Sequence, residues 1–391
     1  MTSTLSAPDV LPFGEFLNDE HQAIREMVRD FATKEIAPKA AEVDRNARFP
    51  EETFKALGQL DLLGLLVPTE YGGAGADYRS YAIVVEEIAR ACGSTGLSYA
   101  AHASLGTNPI KLFGSDAQKK KYLPKLASGE YIGCWALTEP GTGSDAAAQK
   151  TTAKRVGDHY VLNGTKQFIT NATHADVSII MAMTDQSLGR KGISSFIVEK
   201  GTPGFYVSKV EKKLGMRGSP TASLTLEDCK IPVENMIGAE NDGYKQALTT
   251  LEGGRISIGA LALGIGQAAF DAALQYAKQR EAFGQPIGKF QLIQAYLADM
   301  ATQLQAARLL IYHAAWMKDH GKRVTLEGSQ GKLFASEMAS RVCNLCVQIH
   351  GGYGYIEDFP AERFLRDAKL CEIGEGTSEI QRLLIARQLG L

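Results

Sequence analysis

The sequence has no strong charge of either sign. Its 42 Lys and Arg against 44 Asp and Glu leave a net charge of −2. Binding a nucleic acid draws on a basic surface that neutralises phosphates, so no nucleic-acid partner is expected. There is also no run of eighteen apolar residues, and no segment is expected to cross a membrane. Met1 to Phe16 contains no Lys or Arg, so it reads as neither a signal nor a transit peptide. Cysteine is sparse and scattered, with six in the chain, which suits a reduced, cytoplasmic setting better than a disulfide framework. Cys343 and Cys346 have Cys-x-x-Cys spacing but no second pair. Their apolar helical surroundings make them one buried helix face, and no metal site is expected. Gly141, Gly143 and Ala146 match the spacing of a dinucleotide fingerprint, but Glu139 and Pro140 break the run before them. No acidic residue follows at the distance a ribose contact needs, which excludes that reading.

What is present is an ordinary globular composition of 391 residues, 45% hydrophobic and 22% charged, enough for two or three cores. From Asn18 to Gly129 the pattern is helical. Ile24, Met27, Val28, Phe31 and Ile36 recur at helix spacing behind the capping residues Asn18 and Asp19. Pro38 bends or ends that stretch, Pro50 suits a first helical position, and Ser115 caps a later helix. Pro68 to Asp77 is a turn-rich break. Near Tyr131 the character changes. Tyr160–Leu162, Val177–Met183, Ser195–Val198, Phe205–Val207 and Ser223–Leu226 are short β-forming runs separated by turn residues. They predict a compact antiparallel sheet or barrel. From Gly243 helical spacing returns, with long helices over Ala247–Arg280, Leu292–His320 and Gly331–Ile349. The expected class is α+β, with a helical domain over 1–130, a β domain over 131–240 and a helical bundle over 241–391. It contains no internal repeat and no low-complexity tract.

Close to the C-terminus stands Glu375-Gly376-Thr377-Ser378-Glu379, ahead of the amphipathic stretch Ile380 to Leu389. A carboxylate beside a glycine can sit on an uncrowded loop edge, as a general base requires. The same residues also suit the N-terminus of a last helix, capped by Ser or Thr with an acidic first turn. Both readings stand on local sequence.

Several further segments occur in a telling order. They are Leu137-Thr138-Glu139-Pro140-Gly141-Thr142-Gly143-Ser144-Asp145, Asn163-Gly164-Thr165-Lys166, Phe168-Ile169-Thr170-Asn171, Arg280-Glu281-Ala282-Phe283-Gly284-Gln285 and Gln348-Ile349-His350-Gly351-Gly352. Together with the Glu375 run, the chain resembles the acyl-CoA dehydrogenase family of flavoproteins over nearly its whole length. The resemblance implies FAD as cofactor. Leu137, Thr138, Gly143, Ser144, Phe168 and Thr170 would line the flavin site, with Thr138 and Thr170 bonding the ring. Ser144 would also reach the pantetheine side of the substrate. Arg280, Phe283, Gln291, Gln348, Gly351 and Gly352 match positions that hold the adenosine diphosphate half of a neighbouring subunit's FAD. Thr377 and Glu379 would complete the FAD contact from the final segment. A homotetramer built as a dimer of dimers is therefore expected, with an electron-transferring flavoprotein as electron acceptor.

The resemblance also implies a reaction. Glu375 would take the α-proton of an acyl-CoA thioester while the β-hydride leaves to flavin, giving a trans-2-enoyl-CoA. Hydrogen bonds to the thioester carbonyl, one from the base's own backbone N–H, would stabilise the developing enolate. Glu252 and Arg255 match positions that contact the CoA part, and Glu252 is also a rival base. Leu97 and Ala101 are the candidate floor of a short acyl pocket, and Gly376 is a further candidate substrate contact.

Two details bear on the substrate. Gly96 to His102, Phe359 to Leu370 and Glu372-Ile373-Gly374 look most like isovaleryl-CoA dehydrogenases, in which Gly374 replaces a tyrosine of straight-chain members. Gly374 would either make room for a methyl branch or simply ease a turn. Yet isovaleryl enzymes carry their base at the position of Gly254, whereas here the glutamate stands at 375, as in short- and medium-chain members. Phe168 replaces a tryptophan found in many members. No Lys or Arg lies between Cys92 and His102, against a dicarboxylyl substrate. The alternatives are a flavin oxidase or monooxygenase of the same fold, and a redox-silent flavin-binding assembly protein. Glu375 speaks against both.

Overall fold

The computed structural model describes residues 17–391, so the stretch Met1 to Phe16, on which the absence of a leader was read, lies outside the described residues. The first helix, Asp19–Phe31, starts where the sequence placed it. The Asn18 side chain accepts from the His21 N–H at 3.0 Å, and the Asn18 N–H donates to His21 Nδ1 at 3.1 Å. Pro38 falls in the 3-10 turn Ala37–Lys39, after which the run continues as the helix Ala40–Arg45. Pro50 is the residue just before the helix Glu51–Gln59 rather than its first. Helix Tyr78–Ala91 is buried over Ser80 to Ala89 and leads into Gly93–Ala100, which widens into the π-helical turn Ala101–Thr107. Ser115 caps Asp116–Ser128 through a reciprocal pair with Gln118.

The middle of the chain forms one eight-stranded sheet. Its strands are β1 (Gly133–Ala136), β2 (Thr152–Val156), β3 (His159–Thr170), β4 (Val177–Met183), β5 (Ile193–Glu199), β6 (Phe205–Val210), β7 (Thr221–Pro232) and β8 (Met236–Ile237). The order is β6-β7-β3-β2-β4-β5-β8, with β1 beside β4. The sheet is not antiparallel throughout, because β1 and β2 both run parallel to β4. Strand β1 enters from the helical segment, and no tight hairpin joins it to β4 that would reverse its direction. Strand β2 escaped the sequence reading because Lys154, Arg155 and Val156 are exposed and break any apolar alternation. Between Lys166 and Ile169 the register of β3 against β7 shifts. Phe168 sits in that bulge at φ 59° and turns its ring out of the sheet, 63% exposed.

The rest is helical apart from a short antiparallel pair, Glu281–Ala282 with Gln285–Pro286. Gly243–Gln279 runs through the centre, flanked by Gln291–Asp319 and Thr325–His350, with Ala361–Cys371 and Ser378–Gln388 closing the chain. By length and composition Gly243–Gln279 could cross a bilayer, which a search for an unbroken apolar run does not flag, yet 78% of its apolar window is buried inside the fold. Cys343 and Cys346 lie buried on Thr325–His350, and all six cysteines are free thiols. The two helical segments are joined by a buried polar network. Arg308 donates to Glu86 at 2.8 Å, Tyr312 donates to Glu86 at 2.6 Å, and Arg25 donates to Tyr312 at 2.8 Å. Charges buried this deeply persist only when paired, so the network fixes how these helices meet.

Candidate active site

A cleft of about 1750 Å3 opens where the three parts of the chain meet. One wall is the end of Gly93–Ala100 and the following turn, giving Leu97, Ala101 and Leu105. A second comes from the sheet, with Leu137, Thr138, Gly143, Ser144, Phe168 and Thr170. The third is the central helix, with Arg255, and the turn Gly374 to Thr377. These residues are far apart in sequence, and the fold brings them together.

Glu375 owes its position to a sharp turn. After Ala361–Cys371 the Gly374 N–H donates to the Leu370 carbonyl at 2.8 Å. Glu375 and Gly376 then both adopt left-handed backbone, at φ 53° and 92°. That conformation costs a non-glycine residue about 1–3 kcal/mol, and it persists where the surroundings demand it. Thr377 caps the last helix by accepting from the Ile380 N–H at 3.3 Å. The helix cap and the turn that carries Glu375 are therefore separate features of this run. Thr377 to Glu379 begin the helix, and Glu375 stands outside it on the turn, facing the cleft.

The chemistry of that carboxyl is unusual. Its Oε2 is buried without a hydrogen-bond partner among the described residues. Burial pushes its pKa up to about 7, against the opposing pull of Lys332 and Arg255. A carboxyl poised near neutrality and free of partners can take or give a proton at physiological pH. Arg255 is itself buried beside the cleft, its pKa lowered by desolvation and its Nη1 unpartnered. Thr142 Oγ1 and Gln381 Oε1, on residues that also line the cleft, are likewise buried without partners. Unsatisfied buried polar atoms around one cleft call for a ligand that satisfies them.

The segment from Leu137 to Ser144 is held rigidly from beneath. Lys166 is wholly buried and donates to Glu139 Oε1 at 2.8 Å, to Gln149 at 3.2 Å and to the Leu137 carbonyl at 3.3 Å. The Glu139 carboxylate also accepts from the Lys150 and Thr151 N–H groups at 2.7 and 3.0 Å. The Thr138 carbonyl accepts from the Gln167 N–H at 2.8 Å. Thr138, Phe168 and Thr170 thus present hydroxyls and an aromatic face from a fixed frame, a donor set suited to a planar heteroaromatic ring.

Not every candidate enters this cleft. Glu252 does not line it. Its carboxylate accepts from Thr325 Oγ1 at 2.5 Å and lies 3.6 Å from Arg323, so it is engaged outside the cleft. Glu379 is exposed on the last helix and lies outside the lining. Arg280, Gly351 and Gly352 line a separate pocket of about 440 Å3, where the Arg280 guanidinium lies 5.7 Å from the Tyr353 ring centroid. Phe283 is 95% exposed, and Gln291 and Gln348 are exposed too. Within one chain these six residues do not meet the Glu375 cleft. Sequence reading passed over Lys332 and the Lys166–Glu139 pair. The signal available for Lys332 was a lone lysine within a helix of small and apolar residues.

Comparison with known proteins gives this geometry a context. Family models match in order along the chain: the acyl-CoA dehydrogenase N-terminal domain over residues 18–130, the middle domain over 134–229 and the C-terminal domain over 241–390. A probable acyl-CoA dehydrogenase of Bacillus subtilis, YngJ, is 55% identical over 374 residues, covering 95% of this chain and 98% of that protein. A short-chain specific acyl-CoA dehydrogenase of Clostridium acetobutylicum is 49% identical, over 95% of this chain and 98% of its own. The solved structure of butyryl-CoA dehydrogenase from Megasphaera elsdenii superposes with a TM-score of 0.94 at 44% identity, covering 96% of this chain and 99% of that one. The chain belongs to the acyl-CoA dehydrogenase family.

Proposed function

We propose that the protein is an FAD-dependent dehydrogenase of short acyl-CoA thioesters, with Glu375 as the base that takes the α-proton. The observation that carries this reading is the buried, unpartnered Glu375 carboxyl at the cleft, with its pKa raised to about 7. Bound FAD supplies the acceptor for the two electrons that leave with the β-hydrogen. Leu137, Thr138, Gly143, Ser144, Phe168, Thr170 and Thr377 would hold its ring and the adjoining chain, as their place on the cleft allows.

The protein's own groups do the rest. Ser144 and Arg255 orient the pantetheine arm, and the apolar wall of Leu97, Ala101 and Leu105 takes the acyl chain and excludes water. The turn fixes both the Glu375 carboxyl and its backbone N–H. As the proton moves to the carboxylate, that N–H would donate to the thioester oxygen on which charge develops, an effect of about 3–4 kcal/mol per donor. The products are a trans-2-enoyl-CoA and reduced cofactor, reoxidised by an electron-transferring flavoprotein. The likeness to proteins named as short-chain and butyryl-CoA dehydrogenases supports a short acyl chain.

Branching is proposed from Gly374. It lines the cleft, and a Cβ there would meet only ordinary contacts, the nearest being the Leu370 carbonyl at 3.5 Å. The left-handed residues of the turn are Glu375 and Gly376, so the turn itself makes no demand for glycine at 374. Arg280, Phe283, Gln291, Gln348, Gly351 and Gly352 are proposed to hold the FAD of a neighbouring subunit in a homotetramer in the cytoplasm, each chain working as segments 1–130, 131–240 and 241–391. An acyl-CoA panel from acetyl to octanoyl, with isobutyryl, 2-methylbutyryl and isovaleryl included, tests the reading by anaerobic bleaching of the flavin. Bleaching by four- or five-carbon thioesters with slow oxygen consumption is expected. No bleaching by any thioester, or rapid oxygen uptake, contradicts it.

A further inference from the structure

Lys332 lies in the helix Thr325–His350 with its side chain fully enclosed. Among the described residues its ammonium makes one hydrogen bond, donated to the Gly376 carbonyl at 2.7 Å, and no ion pair. A buried ammonium on a single neutral oxygen is an expensive arrangement. The carbonyl alone does not require it, because Gln381 Nε2 already donates to the same oxygen at 2.9 Å. What an amide cannot provide is charge.

The groups that face Lys332 show where that charge acts. They are Cys371 at the end of Ala361–Cys371, Glu372 and Glu375 on the turn, and Arg255 on the central helix. Burial keeps the Cys371 thiol neutral, raised to about 12, and Glu372 is occupied by Lys369 at 2.7 Å. Glu375 is the remaining acid, and it is also faced by Arg255 and by Tyr81 of the helix Tyr78–Ala91. The Tyr81 hydroxyl donates to the Ala100 carbonyl and stays neutral. The cation that adds to Arg255 behind the turn is therefore Lys332.

We propose that Lys332 is a positioning residue for the Glu375 base. Its bond to the Gly376 carbonyl clamps the left-handed turn, and its charge lets the Glu375 carboxylate exist in an enclosed, water-poor cleft. This rests on the reading of Glu375 as the base. Lys332 makes no contact with substrate in that scheme. It acts only through the turn and the field.

The test uses the holoenzyme and three variants, Lys332→Met, Lys332→Gln and Lys332→Arg. The acid limb of the kcat/KM profile for butyryl-CoA is measured for each, and the Glu375 carboxyl is titrated by infrared difference spectroscopy without substrate. Lys332→Gln keeps a donor without the charge, and Lys332→Arg keeps the charge. Removing the charge removes a pull that favours the carboxylate, so the limb and the carboxyl titration should move up by about one pH unit in Met and Gln. In those two variants kcat should fall roughly 10- to 100-fold while KM stays within about 3-fold. Lys332→Arg should keep the wild-type limb. Where Lys332→Met fails to fold, the Gln and Arg pair decides. An unmoved carboxyl titration in Lys332→Gln, or the same upward shift in Lys332→Arg, overturns the inference. A parallel Glu375→Gln enzyme that stays active overturns the base reading instead, and the two failures are told apart because the infrared titration needs no turnover.

Discussion

Gly254 of the central helix and Glu375 of the C-terminal turn converge on one point. A Cβ added at 254 would overlap Glu375 Oε2 and stand 2.9 Å from its carboxyl carbon. The absence of a side chain at 254 is what leaves room for the carboxyl. By the resemblance to isovaleryl-CoA dehydrogenases, position 254 also matches the one that carries their base, so on the proposed reading the base position would be reachable from either element.

Gly254→Ala should therefore displace the Glu375 carboxyl while leaving the helix intact, since alanine is the better helix former. A shift of about 1 Å in a reacting group costs on the order of 100-fold in rate, so kcat for butyryl-CoA should fall by roughly that factor. Moving the base, with Gly254→Glu and Glu375→Gly combined, should recover part of the loss. Steady-state kinetics of the three enzymes checks this, and a Gly254→Ala enzyme within about twofold of wild type would contradict the shared position.

Burying the base has a pH signature in stability. Glu375 has a folded pKa raised to about 7 from an ordinary value near 4.5. The folded state then holds its proton where the unfolded chain has lost it, so stability falls as pH rises from about 4.5 to about 7 and is flat above. Glu375→Gln removes this dependence. It should be more stable than wild type at pH 8 by about 1–3 kcal/mol, toward the lower end because water reaches the open cleft, and equal to it below about pH 4. Denaturant melts of both proteins across that range measure the difference. A constant difference at all pH values would mean that the carboxyl is not buried.

Gly374→Tyr should separate branched from straight substrates. A ring filling the space beside the reacting carbons should weaken isobutyryl- or isovaleryl-CoA by roughly 10- to 200-fold relative to butyryl-CoA, the range of about 1–3 kcal/mol for a misfit of that size. Ratios of kcat/KM give the answer. Equal losses on both classes would return the protein to the plain straight-chain group.

Arg280, Gly351 and Gly352 sit in their own pocket, away from the Glu375 cleft of the same chain. If they serve the cofactor of a neighbouring subunit, FAD retention and assembly are linked, because a ligand held across an interface stabilises the interface. Arg280→Ala should loosen FAD and lower both the Tm and the oligomer mass. Light scattering with absorbance detection follows FAD content and mass, and a thermal melt gives the Tm. Monomers that carry a full complement of FAD would rule out the shared site.

Much of this was legible in the sequence because local physics wrote it there. Asn18 and Ser115 announce helix starts by the side-chain oxygens that cap them, and Val177–Met183 announces a buried strand by its apolar run. Glu375 stood out because a glycine and a capping threonine follow it. What local patterns could not carry is contact between distant segments. Nothing near Glu252 shows that Thr325 and Arg323 claim its carboxylate, and nothing near Gly254 shows that Glu375 lies against it. Nothing near Lys332 shows that the fold buries it against the Gly376 carbonyl. Strand β2 was missed for the reverse reason, since pairing with β3 rather than its own exposed residues makes it a strand.

The central claim is that the Glu375 carboxylate removes the α-proton. Holoenzyme mixed anaerobically with butyryl-CoA and followed at the flavin absorbance tests it in a single turnover, with wild type, Glu375→Gln and Glu252→Gln compared. Wild type and Glu252→Gln should bleach at similar rates. Glu375→Gln should retain FAD and bind the thioester, yet bleach at least about 1000-fold more slowly, because only the proton acceptor is gone. Bleaching of Glu375→Gln within about tenfold of wild type, with Glu252→Gln silent, would contradict the assignment.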